Sequence, residues 1–288
     1  MKKLIISPQA GLGNRLRAMC SAKVLGDLLG REVYHHWVPD PVLSIAGLEH
    51  VNWMKQIDPS YMFDFGIPKW TGGAPSICFF EFNPPIYIPE TGVIGARSVW
   101  LDEQSTSITA LKPTETKMLT DINDIINCEH QVILIEHSVA NDMIIPGFES
   151  YWDDLMRMVY NKYFKLNKKW QLIYDNLPIF DWGIAIRRGE HLIFNPQINV
   201  SIATTVSDIN NLVGSKYVTS DDLNYLDAVC DLANIPIIYK SRYVEIDDAI
   251  TQFLILSKCK NVLSTSTSSF GEEAAKFRNS KYHTLNIK

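Results

Sequence analysis

Two arginines in succession, Arg187 and Arg188, follow directly on the apolar run Gly183-Ile184-Ala185-Ile186. A charge at the end of a buried strand is costly unless something of opposite sign meets it. A guanidinium carries fixed donors in a fork that matches phosphate or carboxylate oxygens. The pair therefore reads as a grip on a di-anionic phosphate, with a structural clamp on acidic side chains as the alternative. Successive strand residues point to opposite sides, so one arginine is expected to reach the ligand.

Three further segments have the chemistry to share that ligand. Gly11-Leu12-Gly13-Asn14-Arg15 places two glycines where a backbone can approach a ligand closely and where the N–H groups of a following helix attract an anion. Its plainer reading is a tight turn, since the third glycine of a dinucleotide fingerprint and the Lys-Ser/Thr of a P-loop are missing. Thr219-Ser220-Asp221-Asp222 offers polar groups that serve equally well as helix N-caps. Ser264-Thr265-Ser266-Thr267-Ser268-Ser269 runs into Phe270 and a helical pattern, which suits phosphate oxygens at a helix N-terminus or, more plainly, a solvated loop. The histidines form no ligand spacing: His35 and His36 are adjacent, and nothing links His137 with His191. No Gly-x-Ser-x-Gly turn is present, which weakens an esterase reading.

The elements that position these segments alternate between strand and helix. Residues 3–7 read as a strand, 15–29 as a helix with Leu16, Met19, Cys20, Val24 and Leu28 on one face, and 31–38 as a second strand, with Gly30 as the helix stop. That is a βαβ unit, which implies parallel pairing and an α/β fold. Residues 60–100 are rich in Pro, Gly and aromatics and read as loops and short strands. A strand at 132–135 is followed by Glu136 and His137, and residues 151–177 read as one helical stretch. A second series then begins, with strands at 182–187, 217–219, 235–239 and 261–264 and helices at 222–232, 246–258 and 270–277. The expected organisation is two α/β halves, 1–160 and 161–288. All four segments fall at strand C-termini, where open α/β sheets bind their ligands.

Composition narrows the classes. The 288 residues are 46% hydrophobic and 20% charged, which excludes a disordered or fibrous chain. With 27 Lys plus Arg against 32 Asp plus Glu the net charge is −5, which argues against a nucleic-acid partner. No apolar run approaches the roughly 18 residues of a membrane span. The three-residue apolar run near Met1 is too short for a signal peptide, so a soluble, cytoplasmic chain is expected. The five cysteines are widely spaced, without a CxxC pair, and give no disulfide framework or zinc ribbon.

Taken in order, the Gly-x-Gly-Asn-x-Leu start (Gly11 to Leu16), the Arg-Arg motif (Arg187-Arg188-Gly189-Glu190) and the Ser/Thr segment running into a helix (Ser264 to Ala275) resemble the fucosyltransferase-like superfamily of GT-B glycosyltransferases. The resemblance implies two Rossmann-like domains facing a central cleft, with acceptor on the N-terminal side and nucleotide sugar on the C-terminal side. It implies inverting transfer, without a metal or other cofactor, to an oligosaccharide or glycoprotein acceptor. Arg187 then looks like the arginine on the donor β-phosphate, Arg188 its support, and Asn14 the asparagine facing donor and acceptor. Gly11, Gly13, Arg15, Ser220, Asp221, Thr267, Ser268, Ser269 and Phe270 complete the donor side. Departures are specific: Ala185 stands where the motif usually has His, Gln252 near the place of an Asp in the α1,6 branch, and Asn195 at that branch's base. The donor is accordingly GDP-fucose or a UDP-sugar such as UDP-xylose. Glu190 is the candidate base, with His191, Glu136 and Asp40 as alternatives. Rival readings are another nucleotide-sugar enzyme, such as an epimerase, and a non-catalytic sugar-nucleotide or glycan-binding module.

Overall fold

The computed structural model describes residues 1–8, 11–36, 61–70, 77–81, 86–88, 92–94, 116–119, 122–129, 132–137, 144–188, 199–236, 246–266 and 268–285. Contacts divide the chain into two compact units, Met1–Lys165 and Leu166–Lys288.

The first unit opens with β1 (Lys3–Pro8), α1 (Leu12–Leu28) and β2 (Glu32–His35). It continues through β3 (Phe63–Phe65), β4 (Ile77–Glu81), β5 (Ile86–Ile88), β6 (Gly92–Ile94), β7 (Thr116–Leu119), α2 (Ile122–Ile126), β8 (Val132–His137) and α3 (Trp152–Tyr163). Its main sheet has the order β2-β1-β8-β4-β7, and every pairing in it is parallel. Helix α1 ends as the sequence requires. Gly30 takes φ +63°, and the Arg31 N–H returns to the Gly26 carbonyl at 2.8 Å, closing a Schellman motif. The burial of α1 exceeds one apolar face, for Arg15, Arg17 and Ser21 are buried alongside Leu16, Met19 and Cys20. The helix is covered from two sides, by β1 and β2 and by α3, whose Met156 carbonyl accepts from Cys20 Sγ at 3.2 Å.

The single helix expected over 151–177 is two helices. Chain direction changes at Phe164, at φ −110° and ψ 70°. The Phe164 ring leaves the helix to pack edge-on against Phe63 and Phe65, with centroids 5.4 and 4.8 Å away. After β9 (Phe164–Leu166), α4 (Lys168–Asn176) starts afresh, because Asn167 caps it by accepting the Trp170 N–H at 3.1 Å.

The second unit contains β10 (Trp182–Ile186), α5 (Ile202–Asn210), β11 (Lys216–Ser220), α6 (Leu223–Leu232), α7 (Ile246–Lys258), β12 (Asn261–Ser264), α8 (Ser269–Phe277) and β13 (Lys281–Thr284). The sheet order is β11-β10-β12-β13, again parallel throughout. Ile184, Ile186, Val218, Leu226, Val229 and Leu263 form its buried core. Four of the five β10 residues are buried, as in a parallel strand covered on both faces. Two elements carry no strong sequence signal. Helix α5 is built from Ile, Thr, Thr and Val, whose branched side chains disfavour helix, and it is started by Ser201 accepting from Thr204 N–H. Strand β13, Lys-Tyr-His-Thr, lacks apolar alternation because it lies at the sheet edge. The strand expected at 235–239 falls largely outside the described residues; Ile235 and Pro236 are not in a strand.

Both sheets share one topological feature. In each, the strand that precedes a motif is flanked by two strands that follow it in the chain, one on either side: β1 between β2 and β8, β10 between β11 and β12. A crevice opens at such a switch point, beyond the strand C-termini.

Gly183 shows how tightly the second sheet is covered. A Cβ there would lie 2.8 Å from Cys259 Sγ and 2.9 Å from Leu256 Cδ2 on the segment packed over β10. Gly183→Ala is predicted to lower stability by about 1–3 kcal/mol through overpacking, with partial recovery in the double variant with Cys259→Ala, read by denaturant titration. Just before β10, at the N-terminal end of the strand, Lys260, then the Ser215 N–H and hydroxyl, hold the Asp181 carboxyl at about 2, down from 3.8. A folded-state pKa below the unfolded one stabilises at higher pH, and that stabilisation disappears as pH falls through the folded value. The melting temperature of Asp181→Asn should therefore fall less steeply than that of the parent chain between about pH 4 and pH 2.

Candidate functional site

In the second unit, three loops meet at the C-terminal end of β10. Pairing of Ile186 with Ser220 and of Ala185 with Ser264 sets the ends of β11 and β12 on either side of it. The residues that follow, Arg187-Arg188, Asp221-Asp222 and Thr265 to Ser268, are therefore neighbours although far apart in sequence.

The two arginines go to different carboxylates. Arg187 Nη1 lies 3.0 Å from Asp221 Oδ2, with 31% of the arginine side chain and 8% of the aspartate side chain exposed. Arg188 Nε donates to Asp222 Oδ2 at 3.3 Å, and its Nη1 donates to Asn199 Oδ1 at 2.7 Å and to the Val200 carbonyl at 3.1 Å. Its guanidinium also lies over the Tyr225 ring, 4.0 Å from the centroid. Tyr225 is itself tied down, with its hydroxyl 2.6 Å from Thr205 Oγ1 and 3.0 Å from the Val200 carbonyl. Of the two sequence readings, the structural clamp describes the contacts of Arg188. Arg187 is the more exposed member, beside the switch point.

The hydroxyl segment is also divided in its tasks. Ser264 Oγ donates to the Ala185 carbonyl at 3.1 Å, and Thr265 Oγ1 accepts the Arg187 main-chain N–H at 3.1 Å. Both are buried and tie β12 to β10. Ser268, also buried, occupies the N-cap position of α8 but makes no side-chain capping bond. The helix start is thus left without the acceptor a serine normally supplies. Ser269 and Phe270 form the first turn, half-buried, with Phe270 edge-on to Phe253. Ser220 is buried and accepts the Asp222 N–H at 3.1 Å. Asp222, rather than Ser220 or Asp221, caps α6 by accepting from Tyr225 N–H at 3.0 Å. One level deeper, Thr219 Oγ1 donates to Gln252 Oε1 at 2.6 Å, and both residues are buried.

In the first unit, Gly11 is the N-cap of α1, in extended backbone at φ −68°. A Cβ at Gly11 would meet nothing within 4 Å, so neither backbone angle nor packing demands glycine there. Gly13 is buried in the first helical turn and Asn14 is half-buried beside it. Arg15 is fully buried and turns back to donate to the Pro8 carbonyl at 2.9 Å; it secures the end of β1. His35 is in the core, its Nδ1 3.0 Å from the Ile67 carbonyl. His36, at the same sheet end, is pushed down to about 4 by burial, with Lys69 and His35 adding to the shift. Glu190, His191, Asn195, Asp40 and Thr267 lie outside the described residues, as do the side chains of Glu136 and His137. Among the described residues, no three His, Cys, Asp or Glu side chains gather as a metal site, and no helix is long and apolar enough to cross a membrane. Cys20, Cys128, Cys230 and Cys259 are buried thiols.

Sequence reasoning missed Asn199, the bond between Thr219 and Gln252, and Tyr225 as the platform under Arg188. The available signal was the aspartate doublet itself: two acidic residues at the end of one strand matching two basic residues at the end of its neighbour.

The fold has known counterparts. POFUT1 in its apo form superimposes with a TM-score of 0.58 at 13% identity, over 99% of this chain and 98% of that one. NodZ, an α-1,6-fucosyltransferase soaked with GDP-fucose, gives 0.54 at 14% identity, over 96% and 93%. A mutant of Arabidopsis thaliana FUT1 in complex with GDP gives 0.52 at 15% identity, over 100% and 71%. The fold is that of these fucosyltransferases. It agrees with the α/β class and the pair of Rossmann-like units expected from the sequence. No protein-family model matches the chain, and no curated protein does.

The unequal surroundings of the two arginines make a contrast that thermal melts can read. Arg188→Ala removes the guanidinium donor from Asp222 Oδ2, Asn199 Oδ1 and the Val200 carbonyl, of which the last keeps the Tyr225 hydroxyl, and is predicted to cost about 1–3 kcal/mol of stability. Arg187→Ala, at a partly solvated ion pair, should change stability by less than about 1 kcal/mol.

Proposed function

We propose that this chain is a glycosyltransferase that moves a sugar from a nucleotide donor to a hydroxyl of a glycan or glycoprotein acceptor. The observation that carries the reading is the convergence at the β10 switch point. A partly exposed guanidinium on Arg187 follows β10, and the start of α8, where Ser268 makes no side-chain capping bond, follows the neighbouring strand β12. Both features favour the negative oxygens of a diphosphate. The fold likeness supports the same reading, because the solved neighbours were captured with GDP or GDP-fucose.

In the proposed reaction the acceptor oxygen attacks the anomeric carbon from the side opposite the diphosphate, so configuration inverts. The bond from that carbon to the diphosphate oxygen breaks, and the electron pair leaves with the nucleoside diphosphate. Arg187 and the α8 N-terminus stabilise the charge that grows there, which is the task a metal ion would otherwise have; transfer is accordingly proposed to be metal-independent. Asn14, half-buried on the first turn of α1, is proposed to orient substrate hydroxyls. Glu190 is proposed as the group that takes the acceptor proton. Donor candidates are GDP-fucose, as in the neighbours' names, and a UDP-sugar such as UDP-xylose. Gln252 bears on the choice, because its amide oxygen is already bonded to Thr219 and it has no carboxylate to receive the donor groups of guanine.

Arg187→Ala is expected to lower the release of nucleoside diphosphate from the cognate donor by about 10²–10³-fold, while the circular dichroism spectrum is unchanged. The assay run with and without chelator should give equal rates for the parent chain. Near-parental turnover in the variant would remove Arg187 from the mechanism.

A further inference from the structure

Asp221 has two oxygens in different circumstances. Oδ1 accepts the Arg188 main-chain N–H at 2.6 Å, which fixes the carboxylate against the end of β10. Oδ2 lies 3.0 Å from Arg187 Nη1 yet meets no aligned hydrogen-bond donor. The contact with Arg187 is therefore Coulombic and off-axis, weaker than a two-pronged carboxylate pair. The Arg187 backbone is anchored as well, by its N–H on Thr265 Oγ1. The carboxylate and the backbone that carries the guanidinium are thus fixed on neighbouring strand ends, and the two charges are within ion-pair distance.

We propose that Asp221 is a positioning residue, whose charge holds the Arg187 guanidinium at the end of β10 to meet the diphosphate of the nucleotide sugar. The inference rests on the nucleotide-sugar reading above. Its physical content is a trade between two states. In the ground state, a fixed carboxylate near the diphosphate repels it and opposes nucleotide binding. During transfer, an arginine already oriented by that carboxylate meets the growing charge without first being ordered. Removing only the charge should separate the two effects, because binding and turnover respond in opposite directions.

Asp221→Asn keeps an acceptor for the Arg188 N–H and removes the charge. Affinity for GDP and UDP is measured by calorimetry, and turnover as nucleoside diphosphate released from the donor that the parent chain uses. The expected result is affinity equal to the parent's or tighter, with turnover lower by about tenfold or more. Asp221→Ser, a smaller acceptor, guards against failure to fold and should give the same split. Asp222→Asn is the control: Asp222 caps α6 and holds Arg188, so this variant should lower the melting temperature without raising nucleotide affinity. A parallel fall of affinity and turnover at Asp221, or unchanged turnover, overturns the inference and leaves the nucleotide-sugar reading standing. A parent chain that binds neither GDP nor UDP overturns both.

Discussion

Two guanidinium groups on consecutive residues repel one another, and burying the strand before them removes the water that would screen that repulsion. Each needs its own counter-charge. Strand register supplies the solution, since Ile186 is opposite Ser220 on β11 and the next two positions are Arg187-Arg188 on one side and Asp221-Asp222 on the other. The two pairs are not equivalent. Asp222 and Arg188 belong to a network with Tyr225, Asn199 and Val200, which holds the start of α5 to the end of β10. Asp221 and Arg187 make an ion pair at 3.0 Å in which the aspartate is buried and the arginine is the more exposed of the two arginines.

The third wall of the same crevice depends on small residues. A Cβ at Gly271 would lie 2.7 Å from Ser264 Oγ and 3.2 Å from Ala185 Cβ. The first turn of α8 is therefore pressed onto the ends of β12 and β10, and the methyl of Ala185 already fills the space beneath it. This gives a steric reason for alanine at a position where the resembling enzymes usually carry histidine. Lys276, on the following turn and buried, pairs with Glu272 at 2.7 Å. That pair offsets a glutamate charge in the first turn that would otherwise compete with a bound anion.

The first unit follows a different logic. Arg15 and Arg17 are buried on a helix covered on two sides, and Arg15 spends a donor on the Pro8 carbonyl. Charge in this helix serves the join between β1 and α1. The position that faces open space is Gly11, with Asn14 half-buried one turn further on.

The alternation of apolar runs with helical periodicity determined the α/β class, because β10 and β12 are buried on both faces and leave an unmistakable apolar signal. Gly30 determined the end of α1, since few residues other than glycine adopt its positive φ easily. The three motifs could be placed at strand ends from sequence alone, and with them the residues of the crevice. The break at Phe164 was decided by tertiary contact, as its ring gains more from Phe63 and Phe65 than the helix gains from one more turn. Helix α5 and strand β13 were likewise beyond local reading, one for its branched side chains and the other for its edge position. Above all, the division between Arg187 and Arg188 belongs to the tertiary structure. Local sequence makes the two cations equal, and only the register of β10 against β11 gives one a network of fixed acceptors and the other an off-axis carboxylate with solvent beside it.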